Sequence, residues 1–118
     1  MEKSDIEKLK EGDMLYLVAD VYDKKEDFTY PQIFKCAFIG EDSIFSRYIV
    51  KRTDKDTYSS EYFGFLFKTK KDAEACVIDM LKDDIKKDYN EMNYHKNRLV
   101  KLKNILNMNL KSTNNESN

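Results

Sequence analysis

Helical structure is strongly favoured in the second half of the chain, because residues 73–110 contain neither glycine nor proline. A segment of that length forms about 55 Å of α-helix at 1.5 Å per residue. Thr69 can cap its first turn, with Asp72 at the acidic position of a capping box. An apolar side chain recurs at every seventh position: Ile78, Ile85, Met92, Leu99 and Leu106. Weak helix formers mark where this helix could break into a hairpin: Asn90, Asn93 and Asn97.

The first sixty-seven residues have a different composition, since they hold thirteen of the fifteen aromatic residues. Four strand-like runs follow one another at about ten-residue spacing: 13–22, 32–39, 44–52 and 57–67. No interval between them has room for a parallel crossover. We therefore predict an α+β protein. A small antiparallel four- to five-stranded sheet, or an SH3-like half-barrel, precedes a long C-terminal helix or helical hairpin.

The predicted domain organisation has three parts. Residues 1–68 form the antiparallel β-domain with a short N-terminal arm. Residues 69–111 form a helical arm that packs on the sheet and extends from it. Residues 112–118 are polar and lack apolar side chains, which predicts a disordered tail.

Three features set the expected strand boundaries. Pro31 should open the second strand, where its missing N–H removes no central ladder hydrogen bond. Residues 40–43 (Gly-Glu-Asp-Ser) have the composition of a hairpin turn, which places the third strand from residue 44 onward. Alternation in the fourth run predicts that Phe63, Phe65 and Phe67 lie on the core face of the sheet.

Catalysis and metal binding have little support in the composition. The chain has one histidine, His95, and two cysteines forty residues apart, Cys36 and Cys76. A structural zinc site needs about four nitrogen or sulfur ligands. His95 lies in the predicted helix, far from any strand end where catalytic groups would converge. The three glycines form no phosphate-binding loop. We expect no enzyme activity, no cofactor and no bound metal.

Charge and hydropathy indicate the compartment. A net charge of −1 with 36% charged residues predicts a heavily charged surface without overall attraction to nucleic acid. From Tyr89 onward, however, five cations face only Glu91 and Glu116, so that 5 − 2 = +3. The N-terminus does not resemble a signal peptide, and the apolar runs are too short to cross a bilayer. We expect a cytoplasmic protein with no membrane partner.

The apolar seam of the predicted helix is the first candidate binding surface. A two-stranded coiled coil also needs apolar residues at a companion position, three residues after each member of this row. In this chain that position carries Leu81, Asp88, His95, Leu102 and Asn109, which is less apolar than an autonomous coiled coil requires. Such a stripe folds back as a hairpin, pairs with a second copy, or docks in a partner's groove. If two copies pair there, His95 meets its counterpart, and protonation would weaken the pair. The candidate self-association or partner-binding residues are Met92, His95, Leu99, Leu102 and Leu106.

Charged side chains supply two further candidate surfaces. Four helix carboxylates could occupy a basic nucleic-acid channel as a charge mimic, or form a solvated face offset by neighbouring lysines: Asp79, Asp83, Asp84 and Asp88. Six cations could instead bind nucleic acid: Arg47, Lys51, Arg52, Lys96, Arg98 and Lys101. The run Phe63-Gly64-Phe65-Leu66, followed by a helix, also resembles the aromatic RNA-binding strand of an RRM domain.

A wider resemblance covers roughly residues 9–106. Leu-Lys-Glu-Gly-Asp leads into a strand at residue 9, and Leu-Phe-Lys-Thr-Lys-Lys-Asp-Ala-Glu-Ala at residue 66 launches a helix. This arrangement is similar to small orphan proteins of bacteriophages and mobile elements, many of which place an SH3-like barrel before a helix. The resemblance implies a protein that binds and blocks a host defence enzyme or nucleoprotein, such as a CRISPR effector, in the host cytoplasm. A small nucleic-acid-binding module is the alternative.

Overall fold

The computed structural model describes residues 3–42, 44 and 47–116. In chain order the elements are α1 (Lys3–Ile6), β1 (Met14–Asp23), β2 (Phe28–Asp42), β3 (Arg47–Arg52), β4 (Tyr58–Glu61), a 3₁₀ turn (Phe63–Phe65), β5 (Leu66–Phe67) and α2 (Lys70–Glu116). The strands form one antiparallel sheet in the order β4-β3-β2-β1-β5. The predicted α+β fold, a five-stranded antiparallel sheet followed by a long helix, is therefore confirmed.

β1 and β2 form a long hairpin whose register runs from Met14 opposite Ala37 to Asp23 opposite Phe28. Pro31 lies inside β2, opposite Asp20, so the prediction that it opens the strand is wrong. Proline is tolerated here because β3 pairs only with the later part of β2, from Cys36 onward. At Pro31, β2 therefore has β1 as a neighbour on one side and behaves as an edge strand.

The turn between β2 and β3 lies later than predicted. Residues 40–42 belong to β2, and its register with β3 shifts between Phe38 and Gly40, as in a β-bulge. The extra residue lets the strand continue past the glycine. Ile44 lies in a turn, and β3 begins at Arg47. Ser43, Phe45 and Ser46, which the predicted turn and third strand include, lie outside the described residues.

Residues 57–67 do not form the single strand predicted from their alternation. The 3₁₀ turn separates β4 from β5, which lie at opposite edges of the sheet. Five strands in a flat sheet would place those edges about 19 Å apart. The chain from Glu61 to Leu66 spans only about 13 Å with one 3₁₀ turn included. The sheet must therefore curve so that its two edges come within this distance of one another.

The same 3₁₀ turn corrects the predicted core. Phe63 and Phe65 are 43% and 41% exposed, whereas Leu66, the first residue of β5, is 1% exposed. A three-residue period replaces the two-residue alternation of a strand, so Phe63 and Phe65 leave the core face. Phe67, in β5, is half-buried. The core joins β1, β2, β3 and β5 through six side chains: Leu15, Leu17, Cys36, Phe38, Val50 and Leu66.

Helix α2 begins where the sequence predicts. The Asp72 backbone N–H donates to Thr69 Oγ1 at 3.2 Å, which is the expected cap. Ala73 is fully buried, and Lys68 Nζ lies 3.3 Å from Asp5 Oδ1 just before the helix. α2 continues through the asparagine-rich part, so the C-terminal arm is one helix rather than a hairpin.

The chain divides into two compact units, Met1–Leu81 and Lys82–Asn118. The first contains the sheet and the first turns of α2, where Cys76, Val77 and Met80 are half-buried. The described part of the second unit is α2 alone. Of the predicted tail 112–118, residues 112–116 continue α2, and the last two residues lie outside the described part of the chain.

Candidate interaction surface

The most unusual surface of the structure is the exposed length of α2. Every residue from Leu81 to Ser112 is exposed. Its large apolar side chains are included, with exposed fractions from 39% at Leu81 to 70% at Met108. Scattered exposed apolar residues are ordinary, but a contiguous row of them usually marks an interaction site. The second unit therefore presents an apolar surface that the described residues leave uncovered.

The regular part of this surface is the α2 stripe, defined here as Ile85, Met92, His95, Leu99, Leu102 and Leu106. Seven-residue spacing returns to nearly the same side of an α-helix, so these residues share one seam. The structure brings together all five predicted self-association residues, since each lies on this stripe and is exposed. Ile105 and Leu110 are also exposed and widen the stripe towards the end of the helix.

His95 is part of the stripe and has only local neighbours among the described residues. Its Nε2 lies 3.8 Å from Glu91 Oε1, one turn earlier on the same helix. Its ring packs edge-on against Tyr94, with 5.5 Å between ring centroids. No nucleophile accompanies these contacts. Within the described residues, no three metal-ligating side chains cluster in a way that could hold an ion.

The four candidate mimic carboxylates are exposed but do not share one face. At about 100° per residue, Asp79 and Asp83 lie on one side of α2, and Asp84 and Asp88 lie about 140° around the helix. Lysines are interleaved with them: Lys82, Lys86 and Lys87. Any acidic recognition surface on α2 would therefore consist of two narrow pairs rather than a continuous patch.

The candidate cations on the helix are exposed to solvent, unlike groups held in a packed site. Lys96, Arg98 and Lys101 are exposed, as are Lys103 and Lys111 further along. The sequence contains no acidic residue between Met92 and Asn115. This part of α2 is therefore a basic helix with an apolar stripe, a combination that suits an acidic partner surface.

The candidate cations on the sheet, in contrast, are already engaged. The Arg52 guanidinium donates two hydrogen bonds to Asp54, at 3.0 and 2.6 Å, and lies 3.7 Å from the centroid of the Phe34 ring. The hydrogen bonds from Arg52 lower the pKa of the Asp54 carboxyl. This pair fixes the cation at the start of the β3–β4 turn and offsets its charge.

Lys51 and Arg47 show the same behaviour on β3. Lys51 Nζ lies 2.5 Å from Asp56 Oδ1, and that hydrogen bond raises the pKa of Lys51. Arg47 donates to the Tyr62 hydroxyl at 2.8 Å and lies 4.2 Å from the centroid of the same ring. The sheet cations are therefore held by neighbouring side chains, which the alternating Asp54-Lys55-Asp56 turn could have indicated. Phosphate binding there would have to compete with these contacts.

Neither cysteine is prepared for nucleophilic chemistry. Cys36 is fully buried, and its thiol donates to the Leu15 carbonyl at 3.6 Å. Burial, with a smaller contribution from Glu61, raises the pKa of the Cys36 thiol to about 11. Burial and Asp79 also raise the pKa of Cys76. Because the thiolate is the reactive form, both side chains are chemically quiet near neutral pH.

Two shallow clefts lie in the first unit. One, of about 320 Å³, is lined by side chains that include Asp5, Leu9 and Lys68. The other, of about 260 Å³, lies between Ala19, Phe65 and Met80, with Asp20 and Glu61 in its wall. Neither brings a nucleophile within reach of a base. These clefts therefore add no catalytic constellation to the exposed surface of α2.

Comparison with protein-family models, with curated proteins and with solved structures found no match to this chain. Within the part of the chain that the structure describes, no helix combines the length and the apolar character needed to span a membrane.

Proposed function

We propose that this chain is a non-catalytic protein-interaction module whose binding surface is the α2 stripe. The observation that carries the proposal is the exposure of every residue from Leu81 to Ser112, apolar side chains included. Folding of the described residues does not account for a regular apolar row on a charged helix. Covering by another protein surface would account for it.

The expected affinity follows from the stripe itself. Complete burial of a large aliphatic side chain contributes about 1.5–3 kcal/mol, and these side chains are already about half covered by their own helix. Each would therefore contribute about 1 kcal/mol on docking. Five such side chains, with a similar number on the partner, give a gross gain of about 10 kcal/mol. This is comparable to the cost of association, which indicates a reversible complex.

For the physiological role, we propose an inhibitor, encoded by a phage or mobile element, that acts in the host cytoplasm. Its target would be a host defence enzyme or nucleoprotein. The resemblance of the chain to such orphan proteins supports this role, as do its dense surface charges. In this role the exposed Asp83 and Asp84 would contact basic residues of the target. Inhibition that is undiminished in an Asp83→Lys/Asp84→Lys variant would remove the charge-mimic part of the proposal.

A matched pair of variants tests the stripe as the binding surface. Leu102→Asp places a charge on the stripe, and Val100→Asp places the same charge on an equally helical position outside it. Both residues are about half exposed, at 48% and 53%. Tagged variants would be used to capture partners from host lysate, and the activity of a captured enzyme would be measured with and without the chain. We expect Leu102→Asp alone to lose both capture and inhibition. Equal loss in both variants would contradict the proposal.

A second candidate function is nucleic-acid binding, which the exposed cations of α2 favour. Lys96, Arg98 and Lys101 are free of acidic neighbours in sequence, whereas the sheet cations are engaged. Phosphate contacts release counterions, so binding of a labelled oligonucleotide should weaken steeply between low and physiological salt. Replacing these three cations by glutamine should flatten that dependence. Absence of binding at low salt would exclude this candidate.

A further inference from the structure

We propose that a second copy of this chain occupies the α2 stripe, and that the two helices pair in antiparallel orientation. The inference rests on the proposed function, since it requires the stripe to be an interface; the host target then binds the paired form of the chain, which a stripe variant cannot form. It adds the identity of the occupant, the direction of pairing and the register. In this register Met92 of each copy lies opposite His95 of the other.

Charge along α2 determines the direction. Residues 79–91 contain three lysines and five acids, which gives 3 − 5 = −2. Residues 92–111 contain five cations and no acid, which gives +5. All of these charged side chains are exposed. Parallel helices would place the two basic segments side by side, whereas antiparallel helices place each basic segment against the acidic segment of the other copy.

The heptad positions determine the register. In an antiparallel pair, each residue of the seven-residue row (Ile85, Met92, Leu99 and so on) faces a residue of the companion position, three residues after the row, on the other helix. With Met92 opposite His95, Ile85 faces Leu102 and Leu81 faces Leu106, so the apolar side chains cover one another. Ile85, Leu102 and Leu106 are exposed in the single chain and available for this contact.

The polar companion residues also favour this arrangement. In a parallel pair in register, Asp88 would face Asp88, which brings like charges together in the seam, and His95 would face His95. In the antiparallel register Asp88 faces Leu99, and the adjacent Arg98 can reach the carboxylate. The antiparallel pair thus separates the two carboxylates that a parallel pair would bring into contact.

The flanking positions add two favourable contacts and one unfavourable one, in which Lys82 lies beside Lys103 of the second copy. Antiparallel pairing places Glu91 beside Arg98 of the second copy, twice per dimer, and Tyr89 beside Lys96, where a cation–π contact can form. Parallel pairing would place Glu91 beside Lys96 and Arg98 beside Lys103. The two orientations therefore predict different partners for Glu91, which makes them separable by charge exchange.

Cysteine cross-linking tests the orientation directly. The background is the full chain with Cys76→Ala, in which Cys36 is retained because it is fully buried. Ile85→Cys and Leu102→Cys are introduced separately. Antiparallel pairing predicts a covalent dimer when the two variants are mixed under mild oxidation, and none from either alone. In the antiparallel dimer, each introduced cysteine would lie about 25 Å from the same position in the second copy. This is far beyond the roughly 7 Å Cα separation that a disulfide allows.

Parallel pairing predicts the opposite result, because each single variant would then cross-link with itself. Asn104→Cys, on the side of the helix away from the seam, is the control that should not cross-link in either case. Covalent dimers from the single variants, or a chain that stays monomeric at all concentrations, would overturn the inference. A monomeric chain that still loses partner capture through Leu102→Asp would leave the proposed function standing.

Charge exchange provides an independent measurement by sedimentation equilibrium. Glu91→Arg should raise the dissociation constant of the dimer about tenfold, because two attractive contacts become repulsive. Adding Arg98→Glu in the same chain should restore it. Restoration by Lys96→Glu instead would overturn the antiparallel assignment.

Discussion

Leu66 is the side chain whose replacement most directly tests the described path of the chain between β4 and β5. It lies opposite Leu17 in the sheet, is 1% exposed and belongs to the core with Leu15 and Val50. The preceding Phe65 is larger but 41% exposed. The structure therefore predicts that truncation of the smaller side chain costs more stability than truncation of the larger one.

The magnitude follows from burial. Replacement of a buried leucine by alanine costs about 2–5 kcal/mol, depending on how far the surroundings collapse into the cavity. β5 has only two residues and lies at the edge of the sheet, so partial collapse is easy and we expect about 3 kcal/mol for Leu66→Ala. Phe65→Ala removes only partly covered surface, and we expect about 1 kcal/mol.

Urea unfolding followed by near-ultraviolet circular dichroism is the appropriate assay. Thirteen of the fifteen aromatic residues lie in the first sixty-seven residues, so that signal reports mainly on the sheet. The far-ultraviolet signal would be dominated by α2 instead. A cost for Phe65→Ala equal to or greater than that for Leu66→Ala would refute the reasoning. Strand alternation would then continue through residues 63–67.

Three further predictions concern stability. Burial raises the pKa of Cys36 to about 11, so its thiol ionises at a lower pH in the unfolded chain than in the folded one. The free energy of unfolding should therefore fall as the pH rises from about 9 to 11. Urea titrations of Cys36→Ala should show a smaller fall. Thr69→Ala removes the cap of α2 and should cost about 1 kcal/mol, which Thr69→Ser, measured by the same unfolding assay, should largely recover. Because Arg52 lowers the pKa of Asp54, this pair stabilises the fold at neutral pH and loses its contribution as the pH falls through that lowered pKa. Acid unfolding curves of Asp54→Asn should lack this contribution. Acid transitions that are identical in the wild type and in Asp54→Asn would contradict the prediction.

Local signals of single residues predicted the start of α2. Thr69 and Asp72 define the cap through their own side chains, and the absence of glycine and proline permits continuous helix beyond them. The asparagine residues did not interrupt it, because each costs only a fraction of a kcal/mol in a helix. The membership of the α2 stripe was predicted from the residue spacing alone. The structure places these residues on one side because α2 is a continuous helix, in which that spacing returns to the same side.

Features that depend on pairing across the sheet could not be predicted in this way. The position of Pro31 is acceptable only because β3 pairs with the later part of β2. The aromatic side chains at 63 and 65 left the core because a 3₁₀ turn carries the chain to the opposite edge. Arg47 is held by Tyr62, which becomes its neighbour only when β3 and β4 pair. The contacts of Lys51 and Arg52 with Asp56 and Asp54 are local to the β3–β4 turn, and the sequence could have indicated them.

The central claim is that the α2 stripe is a protein interface occupied by a second copy of the chain. Light scattering over a wide concentration range measures this directly for the wild type, Leu99→Asp and Val100→Asp. The exposed fractions of the two residues are nearly equal, 52% and 53%, but only Leu99 lies on the stripe. We predict that the mass of the wild type and of Val100→Asp rises from one chain towards two, while Leu99→Asp remains at one. A wild type that stays at one chain, or identical behaviour of the two variants, would contradict the claim.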